Sequence, residues 1–193
     1  MKVVGILGIF LMVIAFVVPM AAYLTITAPA DAGYNKKFAS HEVMAYDQST
    51  FEGMKEQILF LWKNMNETWQ GENLAEVYSS WWYPLQTYDE SLQAEADYFR
   101  TTITRLDNYI VQYENLKADK STSPIYIQDW YDSAIKNFRS ETSRAGGLCW
   151  AIEPAYYLTK QPMAYWLWWW VIPLAFIIGF IGLVVVAVEY CDY

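Results

Sequence analysis

The side chains able to do chemistry in this chain are few, and their spacing builds no reaction centre. His41 is the only histidine. One imidazole supplies neither a haem ligand pair nor a multi-histidine metal site, and it reads as a surface or capping residue. No P-loop, GxGxxG, GxSxG or CxxC occurs, so phosphate cradles, nucleophile elbows and paired thiolates are missing as well. Asp89 with Glu90, and Asp129 with Asp132, have the proximity of paired carboxylates for acid–base work or calcium binding. The simpler reading is a solvated helix face, or a first turn whose acids meet the positive helix end. No catalytic residue, no metal ligand and no cofactor is therefore expected.

The two cysteines do not form a disulfide framework. Cys149 reads as a small buried hydrophobe, and Cys191, just past an apolar stretch, as a juxtamembrane acylation candidate. The aromatic excess, with 10 Trp and 16 Tyr, is core and interface material first. Its alternative is a stacking surface for a pigment, quinone or lipid lined by Trp81, Trp82 and Trp166 to Trp170, for which no polar anchor is identifiable.

The elements that carry these residues follow from the distribution of charge. Among 193 residues, positions 3–30 and 163–188 carry none. Each run supplies the roughly 20 apolar residues needed to cross a hydrocarbon core of about 30 Å. The expected organisation is a first span (about 3–24) with its exit in 1–30, a helical domain over 31–162, and a second span (about 164–188) with a short tail in 163–193. Lys2, an apolar run and Ala30-Asp31-Ala32 imitate a secretory signal. The run exceeds the roughly 7 to 15 residues of a signal core, so a retained signal anchor is expected.

Span composition points to packing. Gly5, Gly8 and Ala15 on the first span, together with Met12, form a smooth stripe. Gly179 and Gly182 offer the same on the second, so these five small residues are the candidate faces for a partner helix. Tyr165, Trp166, Trp168, Trp169 and Trp170 form a girdle suited to the headgroup level, where an indole keeps its polar edge wet. No ionisable group lies at mid-depth, which argues against an ion path or proton relay made by this chain alone.

The middle of the chain reads as helices. Ser49 and Glu52 make a capping-box pattern. Phe51, Met54, Ile58, Leu61, Met65 and Trp69 then recur at helical spacing until Gly71. A shorter stretch from Leu74 ends before Pro84. A helix from Tyr88 to Ala118, capped through Thr87 and Glu90, carries a heptad seam of Leu92, Ala96, Phe99, Ile103, Leu106, Ile110 and Tyr113. Ser123-Pro124 opens a further helix with Ile127, Trp130, Ala134 and Phe138 on one face, ended by Gly146 and Gly147. A return rich in Trp150, Tyr156 and Tyr157, interrupted by Pro154, leads to the second span. Strand signals are weak. The fold class expected is an all-α membrane protein, two transmembrane helices flanking a helical-bundle extracytoplasmic domain.

Positions 31–162 hold 19 acids and 12 bases, and that net negative surface disfavours nucleic acid. The charge rule for orientation is divided between Lys2 on one side and Lys36, Lys37, Arg144 and Lys160 on the other. Long loops largely escape it, and an external domain is expected, where the Asn66-Glu67-Thr68 sequon would be usable. Chemically silent spans around a helical domain suggest a non-catalytic accessory or structural subunit of a larger membrane complex. Its partners would be the bilayer and other integral membrane subunits. The alternative is a sensory or ligand-binding module, by analogy alone, although only five residues follow Val188 to receive a signal. A third reading is a homo-oligomer joined along the Leu92 to Tyr113 seam.

Overall fold

The computed structural model describes residues 3–77, 91–144 and 147–191. Among them the chain is helical throughout, with no strand. Helix α1 (Val3–Ala22) runs through a π-helical turn at Tyr23–Thr27 into α2 (Ala28–Tyr34), and a second π turn at Asn35–Ala39 leads into α3 (Ser40–Asp47). Then come α4 (Phe51–Thr68), a single 3-10 turn at Leu74–Glu76, α5 (Leu92–Ala118) and α6 (Pro124–Arg144). The chain closes with α7 (Ile152–Thr159), α8 (Pro162–Trp166), a third π turn at Leu167–Val171, and α9 (Ile172–Cys191). The expected stop at Pro84 and the Thr87–Glu90 cap lie outside the described residues, as do Trp81, Trp82 and Gly146.

The contacts divide the chain into two units. One comprises residues 1–33 and 157–193, the other residues 34–156. In the first, α1 and α9 pack against each other as an antiparallel pair: Gly8 meets Gly182 and Val186, while Ala15 meets Gly179. Both helices are long and apolar enough to cross a membrane. Pro173 closely follows the π turn at Leu167–Val171 inside one continuous helix, Pro162–Val188, where its missing amide forfeits a helical hydrogen bond.

The second unit is built on α4. Phe51, Met54, Ile58, Leu61, Met65 and Trp69 are all 1% exposed or less, because spacings of three and four hold them on one stripe. The helix is opened by Thr50, whose Oγ1 accepts from the Gly53 amide at 3.1 Å. Sequence spacing had favoured Ser49 for that role. Thr50 takes it because its extended backbone stands immediately before the first helical residue, as a cap requires. Similarly, α5 begins at Leu92, with the Ser91 hydroxyl accepting from the Ala94 amide at 3.2 Å.

Two aromatic clusters take up much of the ring surface in this unit. Phe51 stacks on Tyr109 with centroids 5.3 Å apart and meets Trp130 and Tyr131 edge-on. Phe38 packs with Tyr34, Trp69 and Tyr156. Pro154, expected to interrupt the return segment, instead occupies the first turn of α7 and leaves that helix intact.

Candidate functional site

The five small residues expected to receive a partner helix are placed mostly within this chain. A β-carbon on Gly182 would stand 2.8 Å from the Gly8 carbonyl oxygen, and one on Gly8 would stand 2.9 Å from that of Gly182. A β-carbon on Gly179 would lie 3.1 Å from that of Ala15. Such distances are too short for ordinary carbon–oxygen or carbon–carbon contact, so glycine at 8 and 182 is what lets two backbones touch. Gly5 is buried near the start of α1. The other faces are open: Phe16 on α1 is 71% exposed and Phe176 on α9 is 75% exposed, with Phe10, Ile177 and Phe180 similarly bare.

Of the girdle, Trp166, Trp169 and Trp170 are exposed and Tyr165 is half-buried, while the Trp168 side chain lies outside the described residues. Tyr165 pairs with Trp169 and Trp166 stacks on Trp170, each four residues on, so the rings line successive turns rather than scatter.

The expected seam on α5 is rotated. Leu92, Ala96, Phe99 and Leu106 are buried, but Ile103, Ile110 and Tyr113 are only half-covered. Their places in the interior are taken by Glu95 and Thr102. Glu95 is fully buried. Its Oε2 accepts from the Ala151 amide at 2.7 Å, so it closes the start of α7 from another helix, as an N-cap side chain would. Oε1 has no hydrogen-bond partner. Burial raises this carboxyl well above the usual range, the Ala151 amide opposes the rise, and the negative charge of Glu42 adds to it.

Glu42, on α3, holds the other end of the same turn, its Oε1 accepting from the Leu148 amide at 2.7 Å. Gly147 makes that approach feasible. Its φ of 97° suits glycine, and a β-carbon there would come within 2.6 Å of Glu42 Oε1. Cys149, between the two anchored amides, is buried as expected, and burial followed by the charge of Glu42 pushes its thiol upward, which keeps it un-ionised and unreactive. The two glutamates and the thiol thus surround a turn that they fasten. Among the described residues no group of three or more His, Cys, Asp or Glu is arranged to hold a metal ion.

No protein-family model, curated protein or solved structure matches this chain. Its functional reading therefore rests on the geometry.

His41 is used locally. Its Nδ1 lies 3.0 Å from Gln57 Oε1 and its ring lies over Phe60. Asp129 and Asp132 are exposed on α6, Asp132 accepting from the Gln128 amide group at 3.0 Å, which is the solvated face described above. Asp89 and Glu90 lie outside the described residues. Asn66 is exposed in the last turn of α4, so the sequon is helical rather than in a loop. Sequence reasoning missed Glu95 and Glu42, because the amides they hold are 56 and 106 residues away and leave no local pattern.

Proposed function

We propose that the chain is a non-catalytic accessory subunit of a larger membrane assembly, inserted through α1 and α9 and presenting residues 34–156 as an extracytoplasmic helical domain. The observation that carries this reading is the pairing of α1 with α9. Their glycine contacts satisfy one face of each helix, and the remaining faces expose Phe10, Phe16, Phe176 and Phe180. An apolar surface of that kind is stable only against lipid or against other apolar helices. Support for a non-catalytic role comes from the interior carboxyls, whose hydrogen bonds fasten the turn before α7.

The test is extraction of native membranes in mild detergent, with a photo-crosslinking residue placed at Phe176 or Phe180. The expected result is a crosslinked adduct to one membrane protein that co-purifies in fixed ratio. Recovery of a lone monomer in its micelle, crosslinked to nothing but lipid or detergent, would contradict the accessory role while leaving the spans intact.

A further inference from the structure

Glu42 and Glu95 reach one turn from two helices. The Leu148 amide donates to Glu42 Oε1 and the Ala151 amide to Glu95 Oε2, each at 2.7 Å. Both amides stand before α7, so carboxyl oxygens, not backbone carbonyls, pin the link between α6 and α7. Leu148, Cys149 and Ala151 on that link are 4% exposed or less.

The two oxygens of Glu95 are unequally provided for. Oε2 has its amide, whereas Oε1 has no partner although the side chain is fully buried. A neutral carboxyl in that place leaves one hydroxyl unpaired. A carboxylate would leave an anion in the interior, which costs far more. The groups around it do not help. Glu42 on α3 acts on Glu95 directly, Cys149 on the turn, Tyr34 on α2 and Tyr98 on α5 feel its charge, and Glu153 on α7 acts on the same thiol. All of these can only add negative charge. Among the described residues neither Glu95 nor Glu42 is ion-paired. Loss of the Glu95 proton therefore favours an arrangement that admits water, and the turn at 147–151 is both the donor and the cover.

We propose that the Glu95 carboxyl is a proton-set latch on this turn: protonated, it stays in the interior and holds Ala151; ionised, it lets the turn swing out to water and uncovers Cys149. Burial keeps the closed form protonated well above 4.5, while the open form ionises near that value. Between the two, each pH unit raises the open population about tenfold. The latch opens in base and shuts in acid. It lies within residues 34–156 and holds whether or not the chain is an accessory subunit.

The experiment reads Cys149 in the full chain carrying Cys191→Ala, which leaves one thiol. N-ethylmaleimide labelling is followed from about pH 5 to about pH 7.5, and each rate is divided by that of a free peptide of residues 147–153, which removes the thiol's own titration. The expected ratio rises about tenfold per pH unit in the wild type. It is flat in Glu95→Gln, and it keeps its slope in Glu42→Gln, where Glu95 still titrates. Urea well below the unfolding midpoint leaves it unchanged, because opening one turn exposes little surface. A flat ratio in the wild type, or the same slope in Glu95→Gln, overturns the latch. A ratio that climbs with urea as steeply as unfolding does assigns the exposure to the whole domain and overturns it equally.

Discussion

Gly8 and Gly182 face each other across the α1–α9 pair so closely that a β-carbon on either would stand within 2.9 Å of the other's carbonyl oxygen. Neither position has room for a side chain without parting the helices. Replacing Gly182 by Val should therefore cost about 1 to 3 kcal/mol, the range for overpacking a close contact. Replacing the outward Phe176 by Leu should change stability by less than about 0.5 kcal/mol. Thermal unfolding of the full chain in one detergent checks both, and equal shifts for the two variants would argue against the close pair.

Glu95 makes stability depend on pH in an unusual direction. In the folded chain burial keeps its carboxyl protonated well above 4.5, whereas in the unfolded chain it ionises near that value. Below about pH 4.5 both states are protonated and no penalty arises. As pH rises above that, the unfolded state gains the ionisation that the folded state refuses, so folding weakens by up to about 1.4 kcal/mol per pH unit until the folded carboxyl itself titrates. Glu95→Gln removes this slope. Denaturant midpoints taken from pH 4.5 to 8 should show the wild type losing ground steadily to the variant, and parallel curves would mean that the carboxyl is charged in the fold.

The same rotation of α5 ranks its apolar residues. Leu106 is fully buried and Ile110 only half-covered. Leu106→Ala should cost about 2 to 5 kcal/mol, and Ile110→Ala less than half as much. A heptad seam used evenly along its length would give similar losses, and urea titration of both variants distinguishes the two cases.

Thr50, rather than Ser49, caps α4. Thr50→Ala should lower stability by about 1 kcal/mol and Ser49→Ala should be near neutral, since Ser49 contributes only its backbone carbonyl, to the Tyr131 hydroxyl at 3.3 Å. Equal effects on the thermal midpoint would return the cap to Ser49.

These contrasts show where the sequence was legible. The α4 stripe was readable because its apolar residues recur at three and four with no polar member inside it. The seam on α5 was readable only in its first half. Glu95 looks like a solvent-facing position until the turn at 148–151 closes on it, and nothing near position 95 announces that turn. Gly8 and Gly182 were visible as places of close approach, but a stripe of small residues does not say which helix will fill it. A span's own chain partner competes with every other helix in the membrane.

The most direct test of the central claim is thiol accessibility in sealed vesicles, using a chain whose two native cysteines are replaced by alanine. Single cysteines at Phe16, Phe176 and Ser121 are treated with a membrane-impermeant maleimide in right-side-out and in inverted vesicles. With α1 and α9 in the bilayer, Phe16→Cys and Phe176→Cys stay unmodified in both preparations, and Ser121→Cys, in the exposed turn between α5 and α6, reacts in one of them. Modification of Phe16→Cys and Phe176→Cys at the rate of Ser121→Cys in intact vesicles would contradict the account.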